Sequence, residues 1–476
     1  MLGLFGTLDL ARRSMAAQMA GVEIAGQNLA NVNTRGYSRQ RVNLEASPDL
    51  SATNGFAGTG VSAASIQRIT DDLLNGRIQA QNGVQSYWTA QQSALTDAQT
   101  SLNEFLNSTG STDASTSTAT ATGAKASLSA QLSDFFKAAS TLTQSSGNTG
   151  ANRDQLVRSA QSLAQTFNQL SSRLATTRSD INTMVTNDTT AANKLLTQIA
   201  ELNHQIGDAQ NGGGSPNTLL DARDAALQNL GSLVNFTAST GANGGVNISV
   251  GGQTLVDGQT VADTLQAYDA GGGQFLLRTT TGAVPVTTTS GSIAGEISAR
   301  DTTLAAVKSN VDTLAAAFIT QVNAVHATGF TATGTTGNNF FTGTDAATIS
   351  VNAPIAANSA LVQISGLATA PADISVAGNI GKLAYAMQAA LGGQTFSQQY
   401  SQIVGNLGGA LKTANDEVDG QSSVSAMLSA QRNAVSGVST DEEMTNLLAF
   451  QRAYTASAEV LKTVDAMIQT TLGLKT

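Results

Sequence analysis

The two ends of the chain carry the pattern that most limits its fold. From Leu4 to Arg41, and again from Ser439 to Leu474, the sequence reads as a long amphipathic helix with no obvious segment elsewhere to cover it. At the amino end Leu8, Met15, Val22 and Leu29 recur every seven residues, with Ala11, Met19 and Ala25 at the intermediate steps. At the carboxyl end Leu447, Tyr454, Leu461 and Ile468 keep the same interval, joined by Met444, Leu448, Ala458 and Leu472. A seven-residue apolar repeat is the narrow seam of a coiled coil, not the wide stripe of a helix lying on a globule. At about 1.5 Å per residue each helix is roughly 40–50 Å long. Both ends are therefore expected to be rods that need neighbouring copies to cover their seams. Ser439 with Glu442, or Thr440 with Glu443, predicts a capping-box start for the last helix, with acids at its positive end.

Composition narrows the function classes. The chain has 476 residues, enough for two to four domains, and is 41% hydrophobic, enough for a core. Only 12% of residues are charged, about half the usual share, and Ala, Ser, Thr, Gln, Asn and Gly fill the gap. Such a surface suits packing against copies of itself. A net charge of −9 and the lack of a basic run exclude a nucleic-acid footprint. Zero cysteines exclude disulfides, thiolate chemistry and cysteine metal sites. The start, MLGLFGTLDLARRS, lacks the basic and apolar regions of a signal peptide, and no apolar run reaches the length of a membrane span. Taken alone, these features predict a cytoplasmic protein without membrane insertion.

Between the ends the periodicity alternates. Residues 40–69 predict a hairpin, and Asp71 to about Asn107 a helix with Leu74, Trp88, Leu95 and Leu102 in heptad register. Residues 107–127 are Ser, Thr, Ala and Gly in low complexity and read as a flexible loop. After a short helix through Leu128, Leu132, Phe135, Phe136 and Leu142, apolar residues from Leu156 to Ile206 sit on a three-four lattice. That lattice predicts one or two long helices, with Asp188–Asn193 as the expected interruption. Asn217-Thr218-Leu219-Leu220-Asp221-Ala222-Arg223-Asp224 opens a further helix with Asn217 as its cap. From Phe236 the period changes to two, through Val246–Val250, Gln253–Val256, Phe275–Arg278 and Val284–Val286, and helix spacing returns at Ala294. Ile349–Val351, Leu361–Ile364 and Ile374–Val376 predict strands of a second small β module.

The expected fold class is mainly α: long terminal coiled-coil helices plus an elongated helical bundle, with small antiparallel β modules inserted mid-chain. The corresponding domains are 1–45 with 400–476 as a terminal coiled coil, 46–235 with 293–330 as the bundle, 236–292 as a small β domain and 331–380 as the second β module.

Little in the chain looks like chemistry. His204 and His326 are the two histidines, each on a predicted helix with no partner at ligand spacing, so neither metal nor cofactor is expected. Asp221, Arg223 and Asp224 could imitate an acid pair with a positioning arginine, but helix-start charges in a local ion pair explain them better. Gly212–Gly214 lacks the GK[ST] of a phosphate loop, and no GxSxG elbow is present. Catalytic residues: none.

The run Ala30-Asn31-Val32-Asn33-Thr34-Arg35-Gly36-Tyr37-Ser38-Arg39-Gln40 resembles the amino-terminal signature of the flagellar rod, hook and hook-associated axial proteins. Ser436-Gly437-Val438-Ser439-Thr440-Asp441-Glu442-Glu443-Met444, continuing through Asn446 to Tyr454, resembles its carboxyl-terminal counterpart. The motif residues are thus Asn31, Asn33, Thr34, Gly36, Tyr37, Gly437, Asp441, Glu442 and Glu443. On the bland reading the first run is simply a helix stop, with Asn33 and Gly36 breaking the helix and Tyr37 packing beneath. The Asn217–Asp224 stretch resembles an internal motif of members that join hook to filament. The resemblance implies a non-enzymatic subunit of the flagellar tube, with Leu8, Met15, Val22, Leu29, Met444, Leu447, Leu448, Tyr454, Leu461 and Ile468 at assembly interfaces. Its implied partners are copies of itself, the hook protein, the second hook–filament junction protein, an export chaperone and the type III export apparatus. It also implies an extracellular location reached without a cleaved signal peptide, overriding the cytoplasmic reading. Another axial subunit, a wall hydrolase on an axial scaffold and a secreted coiled-coil adhesin are the rival readings.

Overall fold

The computed structural model describes every residue except 1–2, 35, 48–49, 53–54, 107–126, 145–146, 242–243, 387–392 and 474–476. The expected loop at 107–127 therefore lies almost wholly outside the described residues. Helix α1 (Leu4–Ala30) turns into a hairpin in which β1 (Gln40–Ala46) pairs antiparallel with β4 (Val61–Arg68), and β2 (Leu50–Ala52) pairs with β3 (Gly55–Ala57) between them. Helices α2 (Asp72–Leu106), α3 (Leu128–Thr141), α4 (Gly150–Asn211) and α5 (Asn217–Leu233) follow. Next come a four-stranded antiparallel sheet, β5–β8 (Thr237–Thr240, Val246–Val250, Gln253–Asp257, Thr260–Val261), and a three-stranded one, β9–β11 (Leu265–Asp269, Phe275–Thr279, Pro285–Val286). Helix α6 (Ser292–Ser298) runs through a π-helical turn, Ala299–Leu304, into α7 (Ala305–His326). Two-residue strands β12 (Phe341–Thr342) and β13 (Ser350–Val351) and helices α8 (Ala353–Ala357), α9 (Ser375–Ala386), α10 (Phe396–Ser436) and α11 (Thr440–Gly473) complete a mainly α chain.

Helix α4 is the spine. Its 62 residues extend about 93 Å at 1.5 Å per residue, without the interruption expected at Asp188–Asn193. In an isolated helix those polar side chains would compete for backbone groups. Here each has a partner. The Asp188 carboxylate accepts the Ser292 hydroxyl, and Thr189 and Thr190 return to the carbonyls of Val185 and Thr186 at 2.6 and 2.9 Å. Asn193 brackets Leu265, donating to its carbonyl at 2.7 Å and accepting its N–H at 2.8 Å.

Two cores share this spine. The amino-terminal half of α4 packs with the end of α2, α3, α7, α9 and the start of α10 around Phe135, Phe167, Phe318, Phe340, Phe341 and Phe396. Ring centroids in this cluster lie as close as 4.9 Å, mostly edge-on or tilted, the arrangement aromatic quadrupoles favour. The carboxyl-terminal half of α4 packs with α5 and both sheets through Leu196, Ile199, Leu230, Ile248, Leu255 and Leu277.

The apolar runs between 331 and 380 differ from the expected strands. Ile349–Val351 supplies only β13, Leu361–Ile364 follows a single 3-10 turn without joining a named strand, and Ile374–Val376 leads into α9. Phe340, Ile349, Val362, Ile364 and Val376 all enter the first core. A bundle already present gives these short runs their apolar cover, so their burial needs no sheet. Asn217 is likewise not a cap: Pro216 holds that position, and the Asn217 amide reaches the hairpin instead.

His326 is fully buried, its Nδ1 at 2.8 Å from the Asn338 carbonyl and its Nε2 accepting the Gln363 N–H at 3.0 Å. Burial pulls its pKa from 6.5 down to about 4. The unfolded chain therefore binds the proton first, and stability is lost as pH falls below 6.5, reaching about 3 kcal/mol once the folded-state pKa is passed. Urea denaturation at pH 7 and pH 4 is expected to show this slope, and His326→Leu to be less stable at pH 7 but flatter between the two. An unchanged slope in the variant would contradict the assignment. Glu296 acts with the opposite sign. Burial, aided by the Asp188 carboxylate and opposed by Arg300, pushes its pKa from 4.5 up to about 8. Its contribution is lost as pH rises between those values, and Glu296→Gln is expected to raise the melting temperature at pH 8.

Candidate assembly site at the paired chain ends

Helices α1 and α11 lie along each other, which corrects the expectation that no segment of the chain covers the carboxyl-terminal seam. The contact face of α1 is built from small residues: Ala11, Ala17, Gly21 and Ala25 are buried with Ile24. At Gly21 a Cβ would stand 2.6 Å from the Phe450 ring, so only glycine admits that aromatic. Ser14 and Ser457 meet at 2.9 Å further along. At 100° per residue this face lies about a third of a turn from the Leu8–Met15–Val22–Leu29 stripe, whose members are half-buried on its flank. On α11 the seam does face its partner: Leu447, Tyr454, Leu461 and Ile468 are half-buried on the side that buries Glu443 and Val464.

The pair is tied to the rest of the chain by a buried polar knot. Asn28, fully buried, uses its whole amide. Its Nδ2 donates to the Gln40 carbonyl at 2.9 Å and to Glu443 Oε2 at 3.0 Å, while its Oδ1 accepts the Tyr37 hydroxyl at 2.8 Å and the Gln40 N–H at 3.0 Å. Glu443 Oε1 accepts Arg39 Nε at 2.8 Å, and Arg39 Nη1 reaches Glu442 at 2.7 Å. The Arg39 N–H donates to the Ser436 carbonyl at 2.9 Å, and Arg432 donates to the Gly36 carbonyl at 3.1 Å. The middle of the chain enters through α5. Asn217 donates to the Gln40 side chain at 3.1 Å, and Asp221 accepts the Ser38 N–H at 3.1 Å. Arg68 spans Asp221 and Asp224 at 2.7 and 2.9 Å. Burial, reinforced by the carboxylates of Asp221 and Glu443, pushes the Tyr37 phenol up to about 12, so it stays a donor to Asn28.

Most motif residues converge here, each for a physical reason. Asn31 and Thr34 close the turn after α1, with the Asn31 Nδ2 donating to the Gln27 carbonyl and its Oδ1 accepting the Thr34 hydroxyl at 3.1 Å. Gly437 admits the α10–α11 corner because a Cβ would stand 2.2 Å from the Asn433 carbonyl. Asn33 and Asp441 are exposed. The capping box is only half made: the Ser439 hydroxyl accepts the Glu442 N–H at 3.5 Å, but the Glu442 carboxylate turns to Arg39 rather than back to Ser439. The local Asp221–Arg223–Asp224 ion pair is also replaced. Arg68 takes both carboxylates, and Arg223 donates to Asn203 at 3.1 Å and the Gly244 carbonyl at 2.8 Å. Asn28, Arg68 and Asn217 were missed as site residues. A lone asparagine among Ile24, Ala25 and Leu29 was the available signal for the first, whereas no local pattern marks Arg68.

Outside the knot the ends remain apolar and uncovered. Of fifteen large hydrophobic residues exposed among the described residues, eleven lie on α1, α10 and α11: Leu4, Phe5, Met19, Val424, Met427, Val435, Met444, Leu448, Val460, Met467 and Leu472. Met444 and Leu448, one turn apart, are 48% and 50% exposed. No group of three or more His, Cys, Asp or Glu set to hold a metal occurs among the described residues.

Residues 114–341 match the family model described as the flagellar hook-associated protein FlgK helical domain, and residues 429–474 match the flagellar basal body rod FlgEFG protein C-terminal model. The chain is 28% identical to flagellar hook-associated protein 1 of Bacillus subtilis, the alignment covering 98% of each. It is 25% identical to flagellar hook-associated protein 1 of Escherichia coli, covering 98% of this chain and 99% of that one. A solved structure of the flagellar hook junction protein FlgK from Burkholderia pseudomallei aligns with 56% of this chain and 46% of its own, at 24% identity and a TM-score of 0.47.

Asn28→Ala removes four hydrogen bonds and strands part of Glu443, a loss expected to destabilise the terminal pair by roughly 2–4 kcal/mol. Hydrogen exchange is expected to show faster amides in α1 and α11 while those of α4 keep their protection. Equal protection of the terminal helices in variant and parent would show that the knot does not hold them.

Proposed function

The chain belongs to the flagellar hook-associated proteins, and from that premise we propose that it is a structural subunit of the bacterial flagellum, polymerising at the junction between hook and filament. The observation that carries this reading is the concentration of uncovered apolar side chains on the paired terminal helices. A monomer gains nothing by leaving Met444, Leu448, Val460 and Leu472 in water, and exposed apolar patches of this kind mark interaction surfaces. Head-to-tail contact between unlike patches of identical subunits generates a helical tube when the rotation does not close.

In this arrangement the terminal helices form the inner layer of the tube and α4 carries the two cores outward. Residues 331–383, whose apolar side chains enter the helical core, belong with the bundle. The sheets between Thr237 and Val286 form the outlying module. Leu8, Met15, Val22 and Leu29, on the flank of α1, and Met444 and Leu448, on the open side of α11, meet neighbouring copies. Leu447, Tyr454, Leu461 and Ile468 act one step earlier, by holding α11 against its own α1. The hook protein below, the second junction protein above, an export chaperone and the type III export apparatus are the partners this role requires, and export without a cleaved signal peptide is the route. The work of such a subunit is mechanical, which fits a site made of apolar helix faces and a satisfied polar knot.

Leu448→Asp and Met444→Asp place a charge on the open face while leaving the intrachain seam intact. Cells carrying either variant are expected to make hooks without filaments and to shed flagellin into the medium, while the purified variant keeps its helix content and melting temperature. Normal filaments in both variants would overturn the reading.

A further inference from the structure

Sulfur in this chain is confined to methionine, since it has no cysteine and eight methionines. Six of the eight fall among the described residues, and their placement is uneven. Met15 and Met184 are half-buried, whereas Met19, Met427, Met444 and Met467 are 48–62% exposed. All four exposed thioethers lie on the terminal helices α1, α10 and α11, among the uncovered apolar side chains described above. Alanine, serine, threonine, glutamine and leucine, which make up most of the remaining surface of these helices, do not react with mild two-electron oxidants. Thioethers do, at a rate that follows their access to solvent.

We propose that Met19, Met427, Met444 and Met467 are an oxidation-sensitive modification site on the assembly surface, where a peroxide converts the free subunit into a form that no longer assembles. The inference rests on the assembly reading given above. In the step itself the thioether sulfur attacks one peroxide oxygen, the O–O bond breaks and an S–O bond forms. Sulfur loses two electrons, the peroxide gains them, and with hydrogen peroxide the other oxygen leaves as water. The product carries a strong dipole and a hydrogen-bond acceptor where the neighbouring subunit would present apolar side chains, and burying that acceptor without a donor opposes the contact. Reduction by two thiols, delivered through a methionine sulfoxide reductase, returns the thioether and releases water and a disulfide. Once a subunit is built into the tube its thioethers are covered, so sensitivity belongs to the free subunit.

The test treats the purified full-length chain with hydrogen peroxide and maps sulfoxide by peptide mass spectrometry. It then measures attachment to isolated hook ends before treatment, after treatment, and after incubation with methionine sulfoxide reductase and dithiothreitol. Oxidation at the four exposed positions is expected at least fivefold faster than at Met15 and Met184, with attachment falling at least tenfold and recovering on reduction. A variant carrying Met19→Leu, Met427→Leu, Met444→Leu and Met467→Leu, and each single Leu variant, is compared with its own untreated sample. The fourfold variant is expected to lose less than twofold on treatment. Full attachment by oxidised protein, or an undiminished loss in the fourfold variant, would overturn the proposal. Untreated Leu448→Asp separates the two readings. If it attaches normally, the assembly surface itself is misassigned; if it fails while oxidised parent attaches, only the oxidation proposal falls.

Discussion

A buried carboxylate is tolerated only when its charge is answered at the same spot, and Glu443 is answered from the opposite end of the chain. Arg39 and Asn28 supply its partners at 2.8 and 3.0 Å, and both are more than 400 residues away in sequence. Leaving such a group unpaired costs several kcal/mol, so the last helix cannot dock in this position without the first. Asn28 and Tyr37 in turn fix the turn after α1, and Gln40, Ser38 and Arg68 hand the constraint to α5 through Asn217, Asp221 and Asp224. Three distant stretches become ordered at one point. The rods, the hairpin and the spine take their mutual placement from it.

With that point fixed, the terminal helices divide their surfaces between two tasks. The face of α1 toward α11 is made of alanines and a glycine, which bring the backbones close and gain from dispersion rather than from large buried area. Larger apolar residues such as Met19, Met444, Leu448 and Val460 are left exposed on the other sides of the two helices. Low charge over the whole sequence keeps the desolvation cost of covering such surfaces small. Half of the chain's fourteen phenylalanines, by contrast, are spent on the aromatic cluster around Phe135 and Phe318, where rigidity of the bundle is needed and exchange of partners is not.

Periodicity made the helices and the central strands legible, because burial of one face imposes a period of 3.6 or 2 whatever the partner. The same signal could not say what that partner is. The Leu447–Ile468 stripe reads as an unfilled seam, yet it faces α1, and nothing within either helix distinguishes a copy's surface from the chain's own. Polar breaks mislead in the same way. Asp188–Asn193 looks like a helix end until Ser292 and Leu265 arrive from more than 70 residues away to engage it. Short apolar runs such as Ile374–Val376 fit strand or helix equally, and the existing bundle decides between them. The motif residues were legible as a resemblance, but the reason for them was not: Tyr37, Gly437 and Glu443 make sense only beside Asn28, Asn433 and Arg39.

The absence of native cysteines makes one measurement unusually direct. Single cysteines placed at Leu448 or Val460, on the open side of α11, and at Leu367, an exposed loop residue of the helical middle, can be probed with a maleimide in the free subunit and in subunits attached to hooks. If the terminal helices find their cover in neighbouring copies, labelling at 448 and 460 falls at least tenfold on attachment while 367 continues to react. Unchanged labelling at all three positions in the attached subunit would contradict the assignment of that surface to assembly.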